Sequence, residues 1–329
     1  MKNLSRVARV AALSLGFFFV FTLVASAQRG LIAQEGRLTG GQLQRNRRPD
    51  SMVPATNVLT LNFQTLDYPG ASSTEVRGAN DRGDTVGVFD DSAGSQQGFF
   101  RNGRGAFEVV SVPRAISTRA NKLNNEQTIV GAFTDTGGAI HGFLLSGKKF
   151  TSLDFPRSLQ TVGRGINDLG EVVGRVIDQN GLEHGYVWRN GIFTKVDFPD
   201  AVSTDAYSIT NLGDISGDYE DAGGGIHCFF LHLGKFSSVD YPGASATGGC
   251  SVNERKEILG EWDDADGNAH YFLLRNGKFH NIEVAGTSGA VVEFMNDVGQ
   301  FCGEYFDSEG SEHGFIGYVE NGHEEKIEQ

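Results

Sequence analysis

From residue 58 onward the chain alternates between short apolar or β-branched runs and tight polar turns. In the stretch 154–196 and just beyond it, four runs stand out, at 161–167, 171–177, 184–188 and 192–198. Their connections, Asn167-Asp168-Leu169-Gly170, Asp178-Gln179-Asn180-Gly181 and Arg189-Asn190-Gly191, carry the Asn, Asp and Gly chemistry of hairpin turns. No run is long enough, or spaced at 3.6 residues, to argue for a helix. The third run of each group is apolar at consecutive positions, as in Phe143-Leu144-Leu145, Tyr186-Val187-Trp188, Phe229-Phe230-Leu231 and Phe272-Leu273-Leu274. A half-exposed sheet would alternate; consecutive apolar residues predict sheets covered on both faces.

The pattern restarts near residues 67, 111, 154, 197, 240 and 283, at steps of 43 or 44 residues. A fixed period of this length marks a repeat architecture, and four antiparallel strands per repeat is the pattern of a propeller blade. The expected fold is all-β, a six-bladed β-propeller of four-stranded antiparallel blades. The longest connection, 199–203 and its equivalents, would cross between blades, which makes 161–167 innermost and 192–198 outermost. This phase leaves an extra outer-type strand at 59–68 and a last repeat without one. The N-terminal strand is therefore expected beside 312–318, closing the ring and leaving no sheet edge at the seam.

Repeats of one chain can be compared with each other. Gly87, Gly131, Gly174, Gly217, Gly260 and Gly303 fall mid-strand, which points to a bulge or to close packing by a neighbour. Asp91, Asp135, Asp178, Asp221, Asp264 and Asp307 open the hairpin after the second strand, and a glycine three residues later supplies its φ > 0 position. His141, His184, His227, His270 and His313 begin the third strands, with Gln97 in the first repeat. Two strand spacings of ~4.8 Å put these histidines at least ~10 Å from the axis and from each other. A ring of that size cannot share a zinc ion, whose ligands lie within ~2.1 Å. Asp and His columns are read as structural, with His184 bridging its hairpin to a backbone carbonyl or to Asp197.

The first residues read as an export signal: Lys2, Arg6 and Arg9, an apolar stretch, then Ala25-Ser26-Ala27 as a cleavage site. The expected division is a signal peptide at 1–27, a flexible linker at 28–57 and the repeats at 58–329. This places the protein outside the cell or in a periplasm, without a stable membrane span after cleavage. The formal net charge is −13, and loss of the leader deepens it. Such a surface repels phosphate backbones, which argues against nucleic acid as partner. Of the three cysteines, Cys302 takes the place of Val86, Val130 and Val173 and is expected as a buried thiol. Cys228 and Cys250 fall in other columns, and no disulfide is expected.

The segment 165–174, Gly-Ile-Asn-Asp-Leu-Gly-Glu-Val-Val-Gly, followed by His-Gly-Tyr at His184 and His-Gly-Phe at His141 and His313, resembles the HAF-repeat family of extracellular bacterial proteins. The triplet departs further at His227-Cys228-Phe229 and His270-Tyr271-Phe272. The resemblance covers 67–315 and implies a secreted repeat protein without implying an activity.

Nucleophile elbows, zinc-protease, CxxC and phosphate-loop motifs are absent. Asp263-Asp264-Ala265-Asp266-Gly267-Asn268 reads first as an acidic hairpin turn, since every repeat has a version of it, and second as part of a Ca²⁺ loop lacking its distal Glu. Candidate channel-lining residues are Arg77, Arg119, Arg164 and Glu293; Arg114, Arg157, Asp200 and Tyr207 also differ between repeats on the face with the between-blade loops. Two functions follow. One is a secreted recognition or scaffold module for a glycan or protein. The other is a propeller hydrolase or lyase using channel carboxylates, with Ca²⁺ as its candidate cofactor.

Overall fold

The computed structural model describes residues 58–287 and 289–319. The signal peptide and linker expected at 1–57, and the end of the chain at 320–329, lie outside the described residues. The described residues form 24 strands. An opening strand, β1 (Val58–Thr65), is followed by β2 (Ser73–Ala79), β3 (Thr85–Asp90), β4 (Gln96–Arg101) and β5 (Phe107–Val110). Then come β6 (Ser117–Leu123), β7 (Ile129–Thr134), β8 (Ile140–Ser146), β9 (Lys149–Leu153), β10 (Ser158–Ile166), β11 (Val172–Asp178), β12 (Glu183–Arg189) and β13 (Ile192–Val196). The remainder are β14 (Ser203–Ile209), β15 (Ile215–Glu220), β16 (Ile226–His232), β17 (Lys235–Val239), β18 (Ala246–Val252), β19 (Ile258–Asp263), β20 (Ala269–Arg275), β21 (Lys278–Val284), β22 (Gly289–Met295), β23 (Gln300–Phe306) and β24 (Glu312–Val319).

Sequential strands pair antiparallel, so the sets β2–β5, β6–β9, β10–β13, β14–β17 and β18–β21 each form a four-stranded meander. The strands β22–β24 gain their fourth member from β1, which pairs antiparallel with β24 from Leu61↔Val319 to Thr65↔Phe315. Beyond the strand, the Leu66 amide donates to the Gly314 carbonyl at 2.8 Å. A parallel contact of β1 with β21 merges two sets into one eight-stranded sheet, and a single parallel bridge, Gln160↔Ile140, merges two others. The first strands of successive sets are neighbours from β2 through β6, β10, β14 and β18 to β22, and β22 returns to β2.

The hydrophobic core is divided among the gaps between sets. Val86 and Val110 of one set meet Ala120, Leu123, Ile129 and Phe143 of the next. Val173, Val187 and Val196 likewise meet Ala206, Ile209, Ile215 and Phe229. Leu61 of β1 joins Leu259, Leu273, Ile282, Phe301 and Phe315, so the N-terminal strand seals a gap as well as an edge. Consecutive apolar residues of the third strands bury into opposite gaps, which is why Tyr186 and Val187 are both inaccessible. Each such large side chain contributes about 1.5–3 kcal/mol on burial.

The mid-strand glycines face a bulge. In β6 the register shifts between Ala120, opposite Gly131, and Lys122, opposite Val130, leaving Asn121 as the extra residue. The bulge pushes the Arg119 carbonyl over Gly131, where an added Cβ would lie 1.9 Å from it. Equivalent bulges expel Arg77, Arg164, Tyr207 and Glu293 from the pairing register.

The cysteine expectation needs one correction. Cys302 is buried and free, but Cys228 and Cys250 form a disulfide. They stand on β16 and β18, in different sets, with Cα atoms 5.7 Å apart across the gap. Comparison of columns hides this pair because bridging neighbouring sets joins two different columns by nature. Among the described residues no helix is long and apolar enough to cross a membrane.

Candidate functional site

The first strands converge on a common axis with two chemically different ends. At their C-terminal ends the chain turns through Asp81, Asn125, Asp168, Asn211, Glu254 and Asp297. Each backbone N–H donates to the side-chain oxygen of the next: Asp81 to Asn125, Asn125 to Asp168, Asp168 to Asn211, Asn211 to Glu254, Glu254 to Asp297 and Asp297 back to Asp81, at 2.5–3.1 Å. The circuit is closed. Just inside it, the amides of Asn80, Asn124, Asn167 and Asn296 donate to backbone carbonyls of the following set at 2.9–3.2 Å. A cavity opens within the circuit and reaches inward to Lys122, Tyr207 and Phe294. Burial raises the Asp297 and Glu254 carboxyls above their ordinary range.

The other end, toward the N-termini of the first strands, is crowded with charge. The bulge residues Arg77, Arg164 and Glu293, together with Arg119, are brought within electrostatic reach of one another. Arg77 donates Nε to Glu75 at 2.9 Å. Arg119 donates Nε to Gln96 at 2.6 Å. Arg164 donates Nη2 to Asp205 at 2.8 Å and lies 4.9 Å from the Tyr207 ring centre. Arg175 donates Nη1 to Glu183 at 2.7 Å. Burial, and then its fellow guanidiniums led by Arg77, bring the Arg119 pKa down to about 10.

Carboxyls outnumber these arginines, and those whose pKa is most raised gather on one side. Burial first, then a like-charged neighbour, pushes Asp218 (beside Asp205), Glu261 (beside Asp263) and Glu312 (beside Glu75) up to about 7. Glu304, pressed by burial and then by Glu293 and Glu75, is raised well above the carboxylate range. The arginines come from the sets β2–β5, β6–β9 and β10–β13, while Asp218, Glu261, Glu293, Glu304 and Glu312 come from the remaining three. This end is therefore polarised across its width, with the arginines and their partners Glu75 and Glu183 on three sets and, on the other three, carboxyls that bond to no arginine of their own set among the described residues.

No protein-family model and no curated protein matches the chain. Among solved structures it is similar to a putative TolB from Agrobacterium tumefaciens, at 12% identity and a TM-score of 0.53, over 75% of this chain and 90% of that one. It is similar to XC5397, a gluconolactonase from Xanthomonas campestris, at 11% identity and a TM-score of 0.50, over 79% of this chain and 90% of that one. AofleA from Arthrobotrys oligospora aligns at 14% identity and a TM-score of 0.50, over 79% and 88% of the two chains. The fold is β-propeller-like. At such identities the likeness extends to the propeller fold and not to a ligand.

In this propeller the histidine column lies away from the axis and is held between two carboxylates. His227 places Nδ1 2.9 Å from Asp240 and Nε2 3.1 Å from Asp221. His141 sits likewise between Asp154 and Asp135, and His184 between Asp197 and Asp178. His313 reaches Asp67, at the end of the N-terminal strand's extension, and Asp307. His270 bonds to Asp264 and stacks on Trp262, and residue 283 is Glu where the others have Asp. The hairpin carboxylates also accept their own turn's amides, as Asp264 does from Asp266 and Asn268. The Asp264 oxygens, the centre of the candidate Ca²⁺ loop, are thus engaged by Asn268 and His270. Among the described residues no group of three or more His, Cys, Asp or Glu stands at metal-binding distance.

Burial opposes protonation of His227, but its bonds to Asp240 and Asp221 outweigh this and raise its pKa; His141 behaves alike, and His313 is raised mainly by Asp67. Asp221 is lowered by the Gly225 amide and by His227. A raised histidine contributes stability below about pH 6.5, its unfolded value, and loses it as pH climbs through the folded value. A lowered aspartate contributes above about pH 4 and loses it as pH falls. A His227→Gln variant should therefore show its largest deficit in melting temperature between about pH 4.5 and 6.5, shrinking toward pH 8. A deficit that is flat across this range would remove the charged bridge.

Arg114, Arg157 and Asp200 occupy the φ > 0 position of the turns joining sets, at 69°, 62° and 62°, outside the axial cluster. The residues that sequence reasoning missed are the circuit at the opposite end and the carboxyls of the second and third strands. The circuit had a visible signal, an Asp, Asn or Glu at every repeat after the Asn/Thr column. Turn chemistry alone accounts for that column, and so conceals its contact with the next repeat.

Proposed function

We propose that the chain is an exported six-bladed propeller, its last blade completed by β1, acting as a recognition module that binds a glycan or protein ligand at the charged end of its channel. The blade count is supported by the five four-stranded meanders with the β22–β24 set completed by β1, and by the six-membered circuit that returns to its start. Export is supported by the leader-like residues and by the disulfide, which suits an oxidising compartment. The binding reading rests on one observation: side chains from all the sets converge on the axis as an arginine arc facing a carboxyl arc. Such a surface supplies both donors and acceptors to a polyhydroxylated ligand.

The same carboxyls favour a second reading, a hydrolase or lyase. Asp218, Glu261 and Glu312 hold pKa values of about 7, where a group can both give and take a proton at neutral pH. One experiment separates the two. Residues 28–329 are screened by calorimetry and by product analysis against acidic, neutral and amino-sugar oligosaccharides. We expect a ligand whose affinity drops about tenfold in Arg119→Gln, roughly the value of one charged hydrogen bond, with an unchanged melting temperature and no turnover. Binding indifferent to Arg119→Gln and Glu293→Gln would remove the channel as the site; turnover lost in Asp218→Asn would establish the enzyme.

A further inference from the structure

Where the carboxyl arc meets Arg77, carboxyl groups outnumber basic side chains. Glu75, Glu293, Glu304 and Glu312 surround Arg77, whose guanidinium is committed to Glu75. Of the other basic groups facing this cluster, Lys122 donates to the Arg77 carbonyl oxygen and lies 4.4 Å from the Phe294 ring centre, Arg119, beside Glu75, donates to Gln96, and His313 stands by Glu312 between Asp67 and Asp307. Asp90 and Glu261 add further carboxyls at its edge, and Tyr271 and Cys302 are buried and hold their protons. Glu304 is 3% exposed, and its Oε2 is buried without a hydrogen-bond partner among the described residues. A buried carboxyl oxygen left this way is costly, and it stands in the middle of the cluster.

We infer that this arc binds a protonated primary amine carried by a glycan, that is, a free amino sugar. The inference rests on the channel-recognition reading above. An ammonium group brings three donors and one positive charge, which matches an unpartnered oxygen among surplus carboxyls. A metal ion fits less well: the carboxyls are spread around a guanidinium, and no three of them lie at metal-binding distance among the described residues. The opposite arc, with Arg119, Arg164 and Arg175, presents guanidinium groups to which sugar hydroxyls can turn their lone pairs. Glu312, with a pKa pushed up to about 7, holds a proton at mildly acidic pH, and burial raises Glu304 in the same direction, so arrival of the ammonium expels a proton from the arc to solvent.

The test is calorimetry on residues 28–329 at pH 6.0, in two buffers of different ionisation enthalpy. The probe is the fully deacetylated chitosan tetramer, and its N-acetylated counterpart is the control. We expect the free amine to bind at least about tenfold tighter, the value of one charged hydrogen bond, with net release of protons. Both the preference and the proton release should vanish in Glu304→Gln at an unchanged melting temperature. Glu293→Gln serves as the second variant if Glu304→Gln does not fold. Equal affinity for the two oligomers, or a preference that survives both variants, overturns the inference. A tetralysine peptide that binds as tightly as the chitosan tetramer overturns the glycan assignment. If the acetylated oligomer binds equally well and only Arg119→Gln weakens it, channel recognition stands and the amine falls; if neither oligomer nor any other glycan binds, both fall.

Discussion

A chain begun at residue 69 instead of upstream of β1 is expected to lose its cooperative fold. Deletion removes five paired positions from β24 and leaves that strand as a bare edge. It also removes Leu61 from one gap and Leu66 from the next, residues that are 1% and 5% exposed, and breaks the contact of Asp67 with His313. Two fully buried leucines alone account for about 3–6 kcal/mol. That is a large share of the ~5–15 kcal/mol by which domains are stable. Thermal melting by circular dichroism, with size-exclusion chromatography, should show a broad low-temperature transition and self-association through the exposed edge. A truncated chain that stays monomeric and melts within a few degrees of the full one would mean that β1 is an ornament.

The second large effect is expected from a single methyl group. Gly131→Ala would set a Cβ 1.9 Å from the Arg119 carbonyl oxygen and 2.8 Å from the Phe143 ring, and both are fixed by sheet pairing and burial. Neither can retreat without undoing the bulge, so the substitution should cost about 3 kcal/mol or more, at the upper end of overpacking. Gly138→Ala, one hairpin away, is the control. Its φ is 86° and nothing lies within 4 Å of the added carbon, so only the left-handed penalty of about 1–2 kcal/mol applies. Urea denaturation of the two variants should separate them by at least about 1 kcal/mol; equal costs would show that backbone conformation, and not the close approach, selects glycine there.

Most of the fold was legible because its repeats are read against each other. Period, turn chemistry and the doubly apolar third strands are local or columnar features, and they predicted the strand runs near their observed places. The bridging role of His184 was also legible, since both of its partners are fixed by the same hairpins. What joins unlike columns was not. The Cys228–Cys250 pair crosses from a third strand to a first strand, and no comparison of like positions can show it. The charged end was half visible. Arg77, Arg164 and Glu293 stand out as variable residues on first strands, but Asp218, Glu261 and Glu304 lie on second strands. Their convergence depends on which first-strand residue the bulge expels, a property of pairing register that the glycine column, pointing only to a bulge or a close neighbour, does not specify.

The hydrogen-bond circuit at the far end has a bearing on how such a chain can change over generations. Each position of the circuit must offer an oxygen to its neighbour, and Asp, Asn and Glu all do so. The Asn125 and Asn211 amides also donate to flanking carboxylates, so exchange of an acid for an amide is open at these six sites while gain of a further acid sets like charges side by side. Lineages can drift from an anionic rim to a neutral one without disturbing the backbone, while a single leucine would orphan a donor on the adjoining repeat. The rim is accordingly a place where electrostatic character can be retuned by point mutation with the scaffold left intact.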